Sequence, residues 1–539
     1  MKISGKLVDI HSRSVYPVEI YIKNGIISDV KKISKSDDVF ILPGLIDSHV
    51  HVESSMLTPG SFALACVPHG TIGVVSDPHE IANVLGTNGV EFMIEDGKRV
   101  PLKFWFGAPS CVPATLFETN GEKLDSSQVE ELLKRNDIKY LAEMMNFPGV
   151  ISGDEEVKRK IQSARKLGKK IDGHSPGLSG EKLRKYVEAG ITTDHECSTL
   201  NEAKEKIGLG MKILIREGSA ARNLNSLKDL YKSNPADVML CSDDIHPEML
   251  QRRHINKLIG LLIKEGYDIF DVIRSATINP VEHYKLNAGL LRTGDSADII
   301  TVDSLNEMNV IESWIDGQKV FGRGRVLFQY KPAKPLNKFN CNEITESSLQ
   351  IKNIGKKLRV IEATEGDLIT KEILIDTGQA PIVETNTGAD ILKIVVKDRY
   401  NDSPPSIGFI KGFNLKHGAF AGSVAHDSHN IIAVGVSDSE IVKVINEIIR
   451  LKGGLAVLSG NDIASLQLNV AGIMSDRPCN EVAAGYEELS GLVKGMGCTL
   501  SAPFMTLSFM ALLVIPELKL SDRGLFSGKT FSFVSLFEE

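Results

Sequence analysis

Apolar and polar residues alternate with period two near the start of the chain. Val18-Glu19-Ile20-Tyr21-Ile22 alternates, Asn24-Gly25 is a tight-turn signal, and Ile26-Ile27-Ser28-Asp29-Val30 resumes the pattern. The same texture returns at Ala297-Asp298-Ile299-Ile300-Thr301-Val302 and from Val310 to Val320, with Asp316-Gly317 as a second hairpin turn. Neither piece is large enough to fold alone. Together they predict one composite β-sandwich, residues 1–42 plus 290–340, assembled from both sides of a central domain.

Between them the pattern changes. Short apolar runs alternate with stretches of helical period, the mark of a parallel α/β architecture. Leu42 to Ile46 reads as a buried strand entered through Pro43 and Gly44. Strand ends fall near His51, Asp77, Ser110, Met144, His174, His195, Glu217 and Asp243, with helices at Glu155–Leu167, Glu181–Ala189 and Leu200–Ile207. Eight strands in about 250 residues predict a (β/α)₈ TIM-like barrel over residues 43–289. A doubly wound open sheet is the alternative, but no G-x-G-x-x-G follows a first strand. After Lys331-Pro332-Ala333-Lys334-Pro335 the texture shifts again. Strands at Leu358–Ile361, Ile391–Val396 and Ile431–Val436 and an amphipathic helix from Asp438 to Leu451 predict a separate α+β domain over residues 341–539. That domain is expected to pack on the barrel as a lid or support. The apolar run Met505 to Pro516 is too short to span a bilayer.

Composition narrows the function classes. A chain of 539 residues exceeds what one core usually supports, and 42% hydrophobic with 24% charged residues is ordinary for a soluble protein. The net charge of -7, with a pI near 6.1 and no basic block, argues against a nucleic-acid surface. Seven scattered cysteines with no C-x-x-C fit a reducing compartment. MKISGKLVDI lacks the apolar core of a signal peptide. A cytoplasmic homo-oligomer without membrane or nucleic-acid partners is expected.

Chemistry gathers at the strand ends. Alternate strand residues face the same way, so His49 and His51 project together. Glu143 ends strand four, His174 strand five, His195 strand six and Asp243 strand eight. In barrel enzymes such side chains converge on one pocket. A lone His-x-His is more often a solvated strand end, but six suitable residues at six predicted positions make coincidence a poor account. Four imidazoles and two carboxylates suit two divalent ions of the Mn²⁺, Fe²⁺ or Zn²⁺ type, bridged by Glu143.

The run Pro43-Gly44-Leu45-Ile46-Asp47-Ser48-His49-Val50-His51-Val52-Glu53, with His174, His195, Asp243, Ser275 to Pro280 and Gly294 to Asp298, resembles the amidohydrolase superfamily. More closely, Asp77-Pro78-His79-Glu80-Ile81-Ala82-Asn83-Val84, Glu143 to Asn146, Ile215-Arg216-Glu217-Gly218-Ser219 and Pro516 to Gly524 resemble the bacterial and archaeal adenine deaminases over essentially the whole chain. The resemblance implies hydrolysis of adenine to hypoxanthine and ammonia by a metal-bound hydroxide, with manganese first and iron or zinc as alternatives. Many superfamily members bridge their metals through a carbamylated lysine on strand four. Here Lys139 lies at the wrong end of that strand and Glu143 serves, which argues against a dihydroorotase or hydantoinase.

Asp243 is expected to take the proton of the attacking water, with Glu80 or His79 shuttling protons to the ring nitrogen and the leaving amine. The competing account of Glu80 is a helix N-terminus. Arg216 and Ser219 are candidate purine contacts, with a structural ion pair near Glu217 as the competing account of Arg216, and Asp77 and Asp244 could orient ligating histidines. His426-Asp427-Ser428-His429-Asn430 reads as a turn, with substrate contact or a further metal as the sharper alternatives. A one-zinc deaminase would need H-x-E with P-C-x-x-C, and Cys479 is followed by Asn480, Glu481 and Val482. Another amidohydrolase, acting on a different aminopurine or cyclic amide, is the enzymatic alternative. A catalytically silent barrel scaffold is the non-enzymatic one.

Overall fold

The structure, a computed structural model, describes residues 1–219 and 221–538. It divides into two compact units. The first comprises Met1–His79, Glu91–Cys111 and Asp125–Ala333; the second comprises Glu80–Val90, Val112–Leu124 and Lys334–Glu539. The last boundary falls inside the Pro- and Lys-containing run seen in the sequence.

In the first unit, strands β1 (Lys2–Asp9), β2 (Ser14–Lys23), β3 (Ile26–Lys32) and β4 (Phe40–Pro43) come first. Asn24 and Gly25 both take positive φ (51° and 80°), the mirror-image turn geometry that suits a right-twisted hairpin. The apolar run from Leu42 to Ile46 is not one strand. Leu42 and Pro43 end β4, and the chain bends at Gly44 before β5 (Leu45–Val50) begins in a different sheet. A side chain at Gly44 would meet Ile72 at 2.3 Å, so the bend needs glycine. Hydrophobicity alone could not show that the run serves two sheets.

The barrel strands are β5, β6 (Thr71–Ser76), β7 (Lys103–Ala108), β8 (Ile138–Met144), β9 (Lys170–Gly173), β10 (Thr193–Asp194), β11 (Lys212–Arg216) and β12 (Val238–Cys241). β5 to β9 pair in parallel in sequence order, and so do β10 to β12. Thr192 N–H donates to Ile171 O at 2.9 Å between the two groups. The ring closes where Asp243 N–H donates to His49 O (2.9 Å) and His51 N–H donates to Asp243 O (3.3 Å). Residues of β6 and β12 are buried on both faces, as a helix-wrapped parallel sheet requires. Strands β13 (Ile299–Val302), β14 (Val310–Ile315), β15 (Gln318–Gly322) and β16 (Arg325–Val326) then join β1 to β4 in one mixed sheet ordered β16-β15-β14-β13-β4-β1-β2-β3.

The second unit is built on β17 (Leu358–Glu362), β18 (Lys371–Ile375), β19 (Leu392–Lys397), β20 (Ser406–Lys411), β21 (Ala419–Gly422), β22 (Ile431–Gly435), β23 (Gly454–Ser459) and β24 (Asp462–Gln467), ordered β18-β17-β20-β19-β22-β21-β23-β24. Helix Asp438–Leu451, capped by the Ser437 hydroxyl on Glu440 N–H, lays Ile441, Val444, Ile445 and Ile448 on this sheet with helical spacing. The apolar stretch after residue 503 is a short buried helix, Pro503–Ser508, followed by one tighter turn. Among the described residues no helix is long and apolar enough to cross a membrane.

Candidate metal centre

The six residues at the predicted strand ends converge in the first unit. Glu143, at the end of β8, divides its carboxylate between two groups of histidines. Oε1 lies 3.3 Å from His51 Nε2, while Oε2 lies 2.9 Å from His174 Nδ1 and 3.1 Å from His195 Nε2. Asp243 Oδ1 sits 3.4 Å from His49 Nε2 and 3.3 Å from His51 Nε2. Two donors bound at about 2.1 Å to one ion stand roughly 3 Å apart, so these spacings are those of shared ligands. The His49 and His195 rings stack at 4.3 Å.

His49 supplies the sharpest test of fit. It is wholly buried, and neither ring nitrogen has a hydrogen-bond partner. Leaving such a group unsatisfied costs about 1–3 kcal/mol. A divalent ion at Nε2 would satisfy one of those two nitrogens, and the imidazole and carboxylate donors match a Mn²⁺, Fe²⁺ or Zn²⁺ pair.

Local structure aims each ligand. His51 Nδ1–H donates to the Asp77 carbonyl at 3.1 Å, which turns Nε2 toward the two carboxylates. His174 N–H donates to the Tyr186 hydroxyl (3.0 Å), and that hydroxyl donates to Met144 O (2.8 Å). Asn223 Nδ2 donates to His195 O (3.1 Å) while its Oδ1 accepts from Arg216 N–H (2.9 Å). Asp243 holds φ of +55°, a conformation that non-glycine residues keep only where the surroundings enforce it.

Charge follows from this crowding. Burial alone would raise the Glu143 and Asp243 carboxyls. The imidazoles around Glu143 and the Arg216 guanidinium beside Asp243 outweigh burial and hold both well below the usual carboxylate range. Burial would lower His195 and His51, but the same carboxylates keep them well above the usual imidazole value. His49, buried and repelled by His195, is lowered.

The other candidates separate. His79 joins the cluster, with Nδ1 3.1 Å from Asp77 Oδ2 and 3.4 Å from Glu143 Oε1. The Asp77 carboxylate therefore serves His79, and only its carbonyl serves His51. Asp244 Oδ1 accepts from the Ser54 hydroxyl at 2.5 Å. Arg216 donates through Nη1 to Asp243 Oδ2 (2.8 Å) and through Nη1 and Nη2 to Glu196, leaving Nε without a hydrogen bond. Ser219 donates to Met249 Sδ (3.1 Å) and accepts from His246 N–H (2.8 Å). Glu80 belongs to the second unit. There His426 Nδ1 meets its Oε1 at 2.6 Å and His429 Nε2 meets its Oε2. The His426–Asn430 segment is thus a turn, with His429 N–H on Ala425 O, and also a clamp on one carboxylate.

Sequence reasoning misses Glu196. Its Oε1 lies 3.4 Å from His195 Nε2 and 3.5 Å from His174 Nδ1, and its pairing with Arg216 depresses it despite burial. The available signal is its place directly after His195, where the chain has left strand periodicity. Asp47 is missed as well, although it shares the period-two face of His49 and His51.

Comparison with known proteins shows the family. The amidohydrolase family profile matches residues 40–320, and that of the adenine deaminase C-terminal domain matches 367–532. The chain is 50% identical to an adenine deaminase of Methanosarcina mazei over 553 aligned positions, covering 100% of both chains. It is 48% identical to one of Parabacteroides distasonis, covering 99% of this chain and 98% of that one. It is 45% identical to one of Borreliella burgdorferi, covering 99% of each. The chain belongs to the adenine deaminase family of the amidohydrolases.

Proposed function

We propose that this protein hydrolyses adenine to hypoxanthine and ammonia at a pair of divalent ions held by His49, His51, Glu143, His174, His195 and Asp243, with manganese the working metal. The observation that carries the proposal is the division of the Glu143 carboxylate between His51 on one side and His174 with His195 on the other. Two such ions supply Lewis-acid chemistry that makes water nucleophilic at neutral pH.

The chain's own groups then handle protons. Net, a C–O bond forms at C6, the bond from C6 to the exocyclic nitrogen breaks, and one water is consumed. Asp243, kept ionised by Arg216, accepts a proton from the attacking water through Oδ1 and passes it toward the leaving amine, which departs as ammonia. The ring nitrogen beside C6 must be protonated for C6 to be electrophilic, and the second proton of the water returns to that proton's donor as the C6 carbonyl forms. His79, braced by Asp77 within the cluster, is the first candidate donor, and Glu80, the next residue in the chain, is the second. Arg216 Nε and the Ser219 hydroxyl are the proposed purine contacts. The protein works as a cytoplasmic homo-oligomer.

The test is adenine turnover, followed as absorbance loss with ammonia release. Metal-free protein should be inactive, and activity should return as Mn²⁺ reaches two per chain. Metal binding without adenine turnover would keep the site and move the substrate to another aminopurine or a cyclic amide. Absence of metal binding would sink the proposal.

A further inference from the structure

A second hydrogen-bonded chain runs through the barrel wall where β12 meets β5. Asp47 lies two residues before His49, and its side chain is fully buried. Its Oδ1 accepts from Ser242 N–H (3.0 Å) and His49 N–H (3.3 Å). Its Oδ2 accepts from the Ser242 hydroxyl and from His254 Nε2 (3.0 Å), and His254 Nδ1 pairs with the Thr71 hydroxyl at 2.6 Å. One carboxylate therefore ties the strand that bears His49 and leads into His51 to the residue immediately before Asp243.

Asp243 is where this matters. Its left-handed backbone persists only if its neighbours fix it. Its N–H and carbonyl are committed to His49 and His51, and the preceding Ser242 is held by both oxygens of Asp47. A fully buried Asp–His pair is costly compared with apolar packing, and what its directional hydrogen bonds add is a fixed geometry. We propose that Asp47 and His254 are positioning residues for the metal centre, acting through Ser242 to hold the Asp243 carboxylate against His49 and His51. The proposal rests on Asp243 being a ligand and proton acceptor, as argued above.

The test uses the full-length protein, its His254→Leu and His254→Gln variants, and Mn²⁺ competed with a chelator. Glutamine can place an N–H where Nε2 stands; leucine cannot. His254→Leu should weaken Mn²⁺ affinity by about tenfold or more and lower kcat at saturating Mn²⁺ by a similar factor. KM should stay within about twofold, because substrate contacts are untouched. His254→Gln should recover most of both losses. Unchanged affinity and kcat in His254→Leu would overturn the proposal. So would equal impairment of both variants in step with lost thermal stability, the signature of a purely structural residue. Should His254→Leu fail to fold, Ser242→Ala is read by the same criteria. If metal-loaded wild-type protein releases no ammonia from adenine, the functional proposal fails, and the Mn²⁺ affinities alone then judge this one.

Discussion

Arg216 and Asp243 are joined directly: Nη1 donates to Oδ2 at 2.8 Å, so only Oδ1 of the aspartate faces His49 and His51. Arg216 therefore sets which oxygen of Asp243 works and keeps that carboxylate ionised. Arg216→Met should lower kcat about 100-fold, the usual worth of a proton-transfer group, with a smaller change in KM. Lysine should rescue poorly, because it cannot hold Glu196 and Asp243 with one planar fork. A variant with raised KM and unchanged kcat would instead make Arg216 a purine contact alone.

Glu143 serves both groups of histidines, since its two oxygens face different ones. Glu143→Gln keeps the shape and removes the charge. Metal content by elemental analysis should fall from two ions per chain to one or fewer. Turnover should drop about 10³-fold or more, equivalent to losing several kcal/mol of charge stabilisation. Retention of two ions with near-normal activity would show that Glu143 is not the bridge.

His79 and Glu80 are neighbours in sequence with different surroundings. His79 touches Asp77 and Glu143, while both oxygens of Glu80 are engaged by His426 and His429. His79→Asn and Glu80→Gln should each retain two metals and lose about 100-fold in kcat if both carry protons. Full turnover in Glu80→Gln would assign it to holding the His426 and His429 turn, and His79 would then act alone.

Much of this is readable in the sequence because the relevant signals are local. Helix Asp438–Leu451 has the predicted bounds, since its apolar spacing and Ser437 cap are both contiguous. β8 ends at Met144 as predicted, and the other barrel strands end one or two residues before the predicted ends, close enough to place all six ligand candidates. What is not readable depends on pairing across the chain. The partners of Glu80 lie 346 and 349 residues away. Residues 80–90 and 112–124 join the second unit although they sit amid the barrel sequence. Arg216 reads either as a purine contact or as an ion-pair partner, because the sequence does not reveal that Glu196 follows His195 into the same space.

The second unit carries a pH dependence of its own. Burial raises the Glu118 carboxyl to about 8, with repulsion from Asp427 and Asp522 adding to it and the Thr115 hydroxyl opposing. The folded protein thus holds a proton that the unfolded chain releases in the usual carboxylate range. Stability from that proton is fully present at pH 4 and is lost progressively as pH rises from there through 8. Each tenfold difference in proton affinity between the folded and unfolded chain is worth about 1.4 kcal/mol, so the loss totals several kcal/mol. Glu118→Gln cannot ionise and should escape it. Its unfolding midpoint should match or fall slightly below wild type near pH 5 and exceed it by at least about 5 °C at pH 9. A difference between the two proteins that stays constant from pH 5 to 9 would mean that Glu118 is already ionised in the folded state.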